Sequence, residues 1–148
     1  MKMQTWWNDS PYFDAGFYVA GAADYNVGGN HADPGLDATW VQAVSGQGWD
    51  LAPIWVGEQA PCTNFQTTFD WDPTVASNEG AIEAGVAAAA VGATASGGYG
   101  LQNTIIYFDM EHCEAGATNP NNRSQTCGAA VVAFLTGWVN GIQSAHYK

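Results

Sequence analysis

Positive charge is what this sequence has least of. Across 148 residues, only Lys2, Arg123 and Lys148 oppose fourteen Asp and Glu, for a formal net charge of −11. A chain so poor in Lys and Arg has no basic patch to neutralise phosphates, so no nucleic acid partner is expected. An anionic membrane surface would repel it on the same ground. Long apolar runs are also missing: AGVAAAAVGATA is short and Ala-rich, and no membrane insertion is expected. The opening MKMQTWW lacks the apolar core of a signal peptide, so any leader is expected to have been removed or left out. There is no GxGxxG, P-loop, GxSxG or HExxH, which withdraws support for nucleotide binding, nucleophile-elbow chemistry and a zincin site. His31, His112 and His146 lack metal-ligand spacing and read as ordinary residues, and no cofactor is expected. Cysteine is scarce and odd in number: Cys62, Cys113 and Cys127, with no CxxC pair. In an oxidising compartment this suggests one disulfide and a leftover thiol; in the cytosol, three buried thiols fit as well.

What the chain does have is a globular composition, 47% hydrophobic, in a length suited to one domain, residues 1–148. Its Gly, Asn, Thr, Trp and Tyr content with little charge leans towards secretion. Three apolar runs read as strands: DAGFYVAGA (14–22), WDLAPIWVGEQA (49–60) and NTIIYFDME (103–111). Continuous rather than alternating apolar residues suit strands buried on both faces. Between and after them lie helical patterns. Leu36, Trp40, Ala43 and Val44 share one face, ended by SGQG. Ile82, Val86, Ala89 and Ala90 share another, with Glu79 and Glu83 near its N-terminus. Val131, Phe134, Leu135, Trp138 and Ile142 form a third stripe, for which Thr126 suits the N-cap. The order β-α-β-α-β-α predicts an α/β fold with a parallel sheet. Three polar loops, 24–35, 61–76 and 114–125, follow the strand ends, the face on which parallel α/β folds build sites.

The third strand ends in Asp109 and Glu111, which alternation directs to the same side. Two close carboxylates repel, so one can hold a proton near neutral pH while the other stays ionised, the acid and base that glycosidic cleavage requires. A loop-capping Asp109 beside a solvated Glu111 accounts equally for the pattern. Glu58 ends the second strand and would face the same mouth if the two strands are neighbours. Trp55, Gln59 and Tyr107 complete the candidate substrate-binding set with it, against the plainer readings of a solvated Glu and core aromatics. Asp70 and Asp72 offer oxygen ligands for Ca²⁺, but without an EF-hand pattern they read as turn residues. Asn8-Asp9-Ser10 and Asn122-Arg123-Ser124 are glycosylation sequons, relevant in a eukaryotic secretory host.

Four stretches, MQTWWNDSPYFDAGFYVAGA, TWVQAVSGQGWDLAPIWVGEQAPC, IIYFDMEHC and CGAAVVAFLTGWVNGIQSAHYK, together resemble the glycoside hydrolase-like domain of unknown function found in secreted bacterial and fungal proteins. The resemblance implies a (β/α)₈ barrel related to lysozyme-type hydrolases of peptidoglycan, an extracellular location, and a polysaccharide or peptidoglycan partner. It aligns Asp109 and Glu111 with the family's D-x-E on the fourth strand, Glu111 being the proton donor. It also implies that strands two to four of the barrel are present, an incomplete barrel, with a leading G-F-D-x-C strand and four later strands missing. On this basis Cys113 is expected to pair with Cys127, leaving Cys62 for the missing strand's cysteine. Open sheet edges and a half-exposed inner face, carrying Ile54, Val56, Ile105 and Tyr107, then predict self-association or completion by further chain segments. A non-catalytic glycan-binding or self-assembling module is the alternative to an enzyme.

Overall fold

A computed structural model describes residues 2–19, 36–92 and 98–148. The polar loop 24–35 with His31 and Tyr25, the expected strand end at 20–22, and 93–97 of the second helical stretch lie outside the described residues. The elements run α1 (Lys2–Asp9), β1 (Asp14–Tyr18), α2 (Ala38–Ser45), β2 (Asp50–Trp55), α3 (Pro73–Gly92), β3 (Tyr107–Phe108), β4 (Thr118–Asn119), β5 (Asn122–Thr126) and α4 (Cys127–Ser144). The expected β-α alternation is present. α1 and the β4–β5 hairpin are additions, the hairpin lying inside what reads from sequence as a polar loop.

β1, β2 and β3 form a parallel sheet in that order. β1 pairs with β2 from Asp14↔Asp50 to Tyr18↔Ile54, and β2 with β3 at Ile54↔Tyr107 and Trp55↔Phe108. The second ladder runs one step further, since Asp109 N donates to Trp55 O at 2.9 Å. On the far side of the third strand, Lys148 N donates to Thr104 O and Ile106 N to Lys148 O, both at 3.1 Å. These two bonds have the pattern of a parallel rung.

Among the described residues, only one face of the sheet is covered. Phe17, Leu51, Trp55 and Ile106 are buried with Val41 and Val44 of α2, Ala84, Ala87, Ala88 and Val91 of α3, and Trp138 and Ile142 of α4. The opposite face leaves Tyr18 37%, Ile105 45% and Tyr107 51% exposed. The expectation of strands buried on both faces is thus corrected: an apolar run alone does not supply the second layer that would cover it. A satellite cluster of Ala60, Phe69, Ala76, Cys127, Ala130 and Phe134 packs at the C-terminal end of the strands. Phe108 joins the two cores through edge contacts with Phe134 and Trp138.

The helices explain their own placement. Asp37 caps α2, accepting from Trp40 N at 2.8 Å, and Thr126 caps α4, accepting from Ala129 N, as its position suggests. Phe134, Trp138 and Ile142 are buried and Val131 and Leu135 half-buried, so the α4 stripe is the inward face. For α3 the expected face is reversed. Ile82 and Val86 are exposed, whereas Ala76, Gly80, Glu83, Ala84, Ala87, Ala88 and Val91 face inward. In a helix this rich in Ala, hydropathy scarcely distinguishes the faces, and close approach decides. A Cβ on Gly80 would collide with the Phe134 carbonyl, and one on Gly137 with the Ser77 carbonyl. α3 and α4 therefore meet backbone to backbone, which excludes branched side chains from the contact.

Candidate active site

The C-terminal ends of β2 and β3 are braced by one side chain. Gln59 is fully buried, and its Nε2 donates to the carbonyls of Gly57 (3.1 Å) and Asp109 (3.0 Å) while its Oε1 accepts from Glu111 N at 2.9 Å. The backbone on both sides of Met110 is thereby fixed to the segment that follows β2. Asp109 is half-buried on the open face, and Tyr18 OH donates to its Oδ2 at 3.3 Å, reaching across the sheet from β1. Tyr18, Ala52, Ile54, Tyr107, Phe108 and Asp109 line a cleft of about 460 Å³. Glu111 is exposed beyond its rim.

The other face of β2 carries a buried acid that the sequence did not single out as a site residue. Glu83 of α3 is 1% exposed, and its Oε1 accepts from the Trp55 indole N–H at 2.9 Å and from Glu58 N at 3.0 Å. Its Oε2 has no hydrogen-bond partner among the described residues. Burial pushes its pKa from 4.5 up to about 7; the two hydrogen bonds oppose the rise, and Glu58 and Glu79 add to it. Glu58 is half-buried, its carboxyl likewise pushed up by desolvation and by Glu79. Gly57 has to be glycine here, because a Cβ would overlap the Glu83 carboxylate.

The sequence profile of the Rv2525c-like, glycoside hydrolase-like domain family matches residues 4–148. The chain belongs to that family. Neither a curated protein nor a solved structure gives a match.

Within this glycoside hydrolase-like domain, the expected site residues separate into two groups. Asp109 and Tyr107 line the open cleft, with Glu111 close by in sequence and held by the same brace. Trp55 and Gln59, expected among the substrate contacts, are 1% and 0% exposed and cannot touch a ligand. Both are corrected to supporting roles: Trp55 on β2 turns its side chain towards Glu83 of α3, and Gln59, beyond the strand, turns into the backbone of Asp109 and Glu111. Glu58 is tied to Glu83 through its backbone, and the acid that perturbs it is Glu79. Tyr18, one of several aromatics that read equally as sugar-stacking or core residues, lies at this cleft beside Asp109.

The expected Cys113–Cys127 disulfide is also corrected: Cys127 is joined to Cys62, and Cys113 is a free, half-buried thiol. The turn in which Thr63 N donates to Ala60 O sets Cys62 against the satellite cluster around Cys127. Cys113 is nevertheless close, its Sγ 3.6 Å from that of Cys127. Spacing along the chain could not choose between two sulfurs that converge on the same third one. Asp70 and Asp72 act as turn residues, with Asp70 Oδ1 accepting from Asp72 N and Asp72 Oδ1 from Thr74 N where α3 begins. No described helix is long and apolar enough to cross a membrane.

Proposed function

We propose that this domain acts on a polysaccharide, cell-wall peptidoglycan or a related glycan, with Glu111 as general acid and Asp109 as its electrostatic partner or the stabiliser of the intermediate. The observation that carries this reading is the Gln59 brace. A fully buried carboxamide spends three hydrogen bonds, two of them fixing the backbone of the Asp109–Glu111 segment. A strand end that merely reaches water has no need of such a support, whereas a pair of reacting carboxylates needs fixed spacing. Tyr18 and Tyr107 beside Asp109 offer hydroxyls and ring faces suited to sugars, and the scarcity of cations suits an uncharged substrate. The Cys62–Cys127 disulfide fits an extracellular setting. The parallel sheet, its open face and the rung at Lys148 support a place for these strands within a (β/α)₈ barrel. Incubation with peptidoglycan and chitin oligomers, beside Glu111→Gln, tests the assignment. Release of reducing ends should fall at least a hundredfold in the variant; equal product from both would remove Glu111 from the mechanism.

A second reading, a glycan-binding or self-assembling module without turnover, is favoured by the exposure of Tyr18, Ile105 and Tyr107 on the open sheet face. Calorimetric binding of the same oligomers without product would select it.

A further inference from the structure

The chain's three cysteine sulfurs converge at one point. Cys62 and Cys127 are bonded, Cys113 Sγ stands 3.6 Å from Cys127 Sγ, and all three sulfurs lie within 4.8 Å of one another. We propose that they form a thiol–disulfide exchange centre with Cys127 as the shared sulfur, so that the protein exists in two covalent forms, Cys62–Cys127 and Cys113–Cys127.

Exchange proceeds by attack of a thiolate on a disulfide sulfur. Cys113 loses its proton to solvent, and its thiolate attacks Cys127 Sγ. The Cys113–Cys127 bond forms, the Cys62–Cys127 bond breaks, and Cys62 leaves as a thiolate that takes a proton from solvent. The electron pair passes from Cys113 through Cys127 to Cys62 with no net oxidation or reduction, so no external oxidant is required.

Three features favour this path. The attacking sulfur is already in contact with the sulfur it must reach. The leaving sulfur is supported, since Glu114 N donates to Cys62 Sγ at 3.4 Å and a donor there stabilises a developing thiolate. The central sulfur belongs to the first residue of the 18-residue helix α4, whose positive N-terminal end favours the negative charge that the three sulfurs share during exchange. The two forms differ in what is tied to α4. One anchors the loop after β2; the other anchors the segment carrying Asp109 and Glu111 and frees Cys62.

Disulfide mapping of the whole, unreduced protein tests this. The protein is held at pH 8, trapped with N-ethylmaleimide at mildly acidic pH, and digested with pepsin. Both disulfide-linked peptides should appear, with the label on Cys113 in one form and on Cys62 in the other. Cys113→Ser should confine the map to Cys62–Cys127 and abolish the label. Cys62→Ser should yield Cys113–Cys127 on air oxidation. Label found only on Cys113, a Cys62–Cys113 bond, or failure of Cys62→Ser to form the second pair would each overturn the proposal.

Discussion

Glu83 shows how much one buried carboxyl can govern. Its folded pKa of about 7 lies above the 4.5 of an unperturbed Glu, so the folded state holds a proton that the unfolded chain gives up. Stability from this proton is therefore complete below about pH 4.5 and is lost as the pH rises to about 7, on the order of 3 kcal/mol in all. Glu58, shifted the same way, adds to the slope. Glu83→Gln keeps an acceptor for the Trp55 indole and Glu58 N but has no proton to lose. In urea unfolding at pH 5 and pH 8, the wild-type protein should be markedly less stable at the higher pH, and the variant nearly flat. A variant with the wild-type slope would place the titration elsewhere. Little of this could be read from the sequence, where a Glu near the start of a helix looks like a favourable partner for the dipole. What reveals Glu83 is Gly57, a residue that only the packed structure explains. The place of Asp109 on the open face, by contrast, was legible, because strand alternation is a local property.

Among the elements, the packing of α3 on α4 is where sequence reading and structure part. The order of strands and helices followed from apolar runs and caps, and the α4 stripe from its bulky residues. The inward face of α3 did not, since periodicity weighs Ile and Val above Ala while the contact selects for absence of side chain. The same physics makes a prediction. Gly80→Ala would set a methyl against the Phe134 carbonyl, forcing the helices apart, and should cost about 1–3 kcal/mol. Gly85→Ala on the same helix meets nothing within 4 Å and should be neutral or slightly stabilising. Thermal melts of the two variants make the comparison; equal losses would mean that the close approach is not what sets this packing. The β4–β5 hairpin escaped notice for another reason. Its strands, TN and NRSQT, have no apolar residue to announce them.

At the scale of the molecule, one face of the sheet carries no packed layer among the described residues. Tyr18, Ile105 and Tyr107 remain substantially exposed on it, and covering an apolar side chain is worth about 1.5–3 kcal/mol. Against a net stability of about 5–15 kcal/mol for a typical domain, that is a strong incentive to associate. The 148-residue chain should therefore sediment as more than a 15.6 kDa particle at micromolar concentration, and Tyr107→Lys should shift it towards the monomer by placing charge on the open face. A single cooperative monomer for both proteins would show that this face is stable in water.

The rung at Lys148 reaches further than its position in the chain suggests. The amide of Ile106, a residue 3% exposed in the main core, donates to the carbonyl of Lys148. The hold on a core residue thus passes through the backbone of a residue 42 positions further along the chain. Deleting Lys148 should leave far-ultraviolet dichroism almost unchanged while hydrogen–deuterium exchange at Ile106 rises by orders of magnitude. A protein that has lost this rung would then look folded by the usual spectrum yet age faster on the shelf.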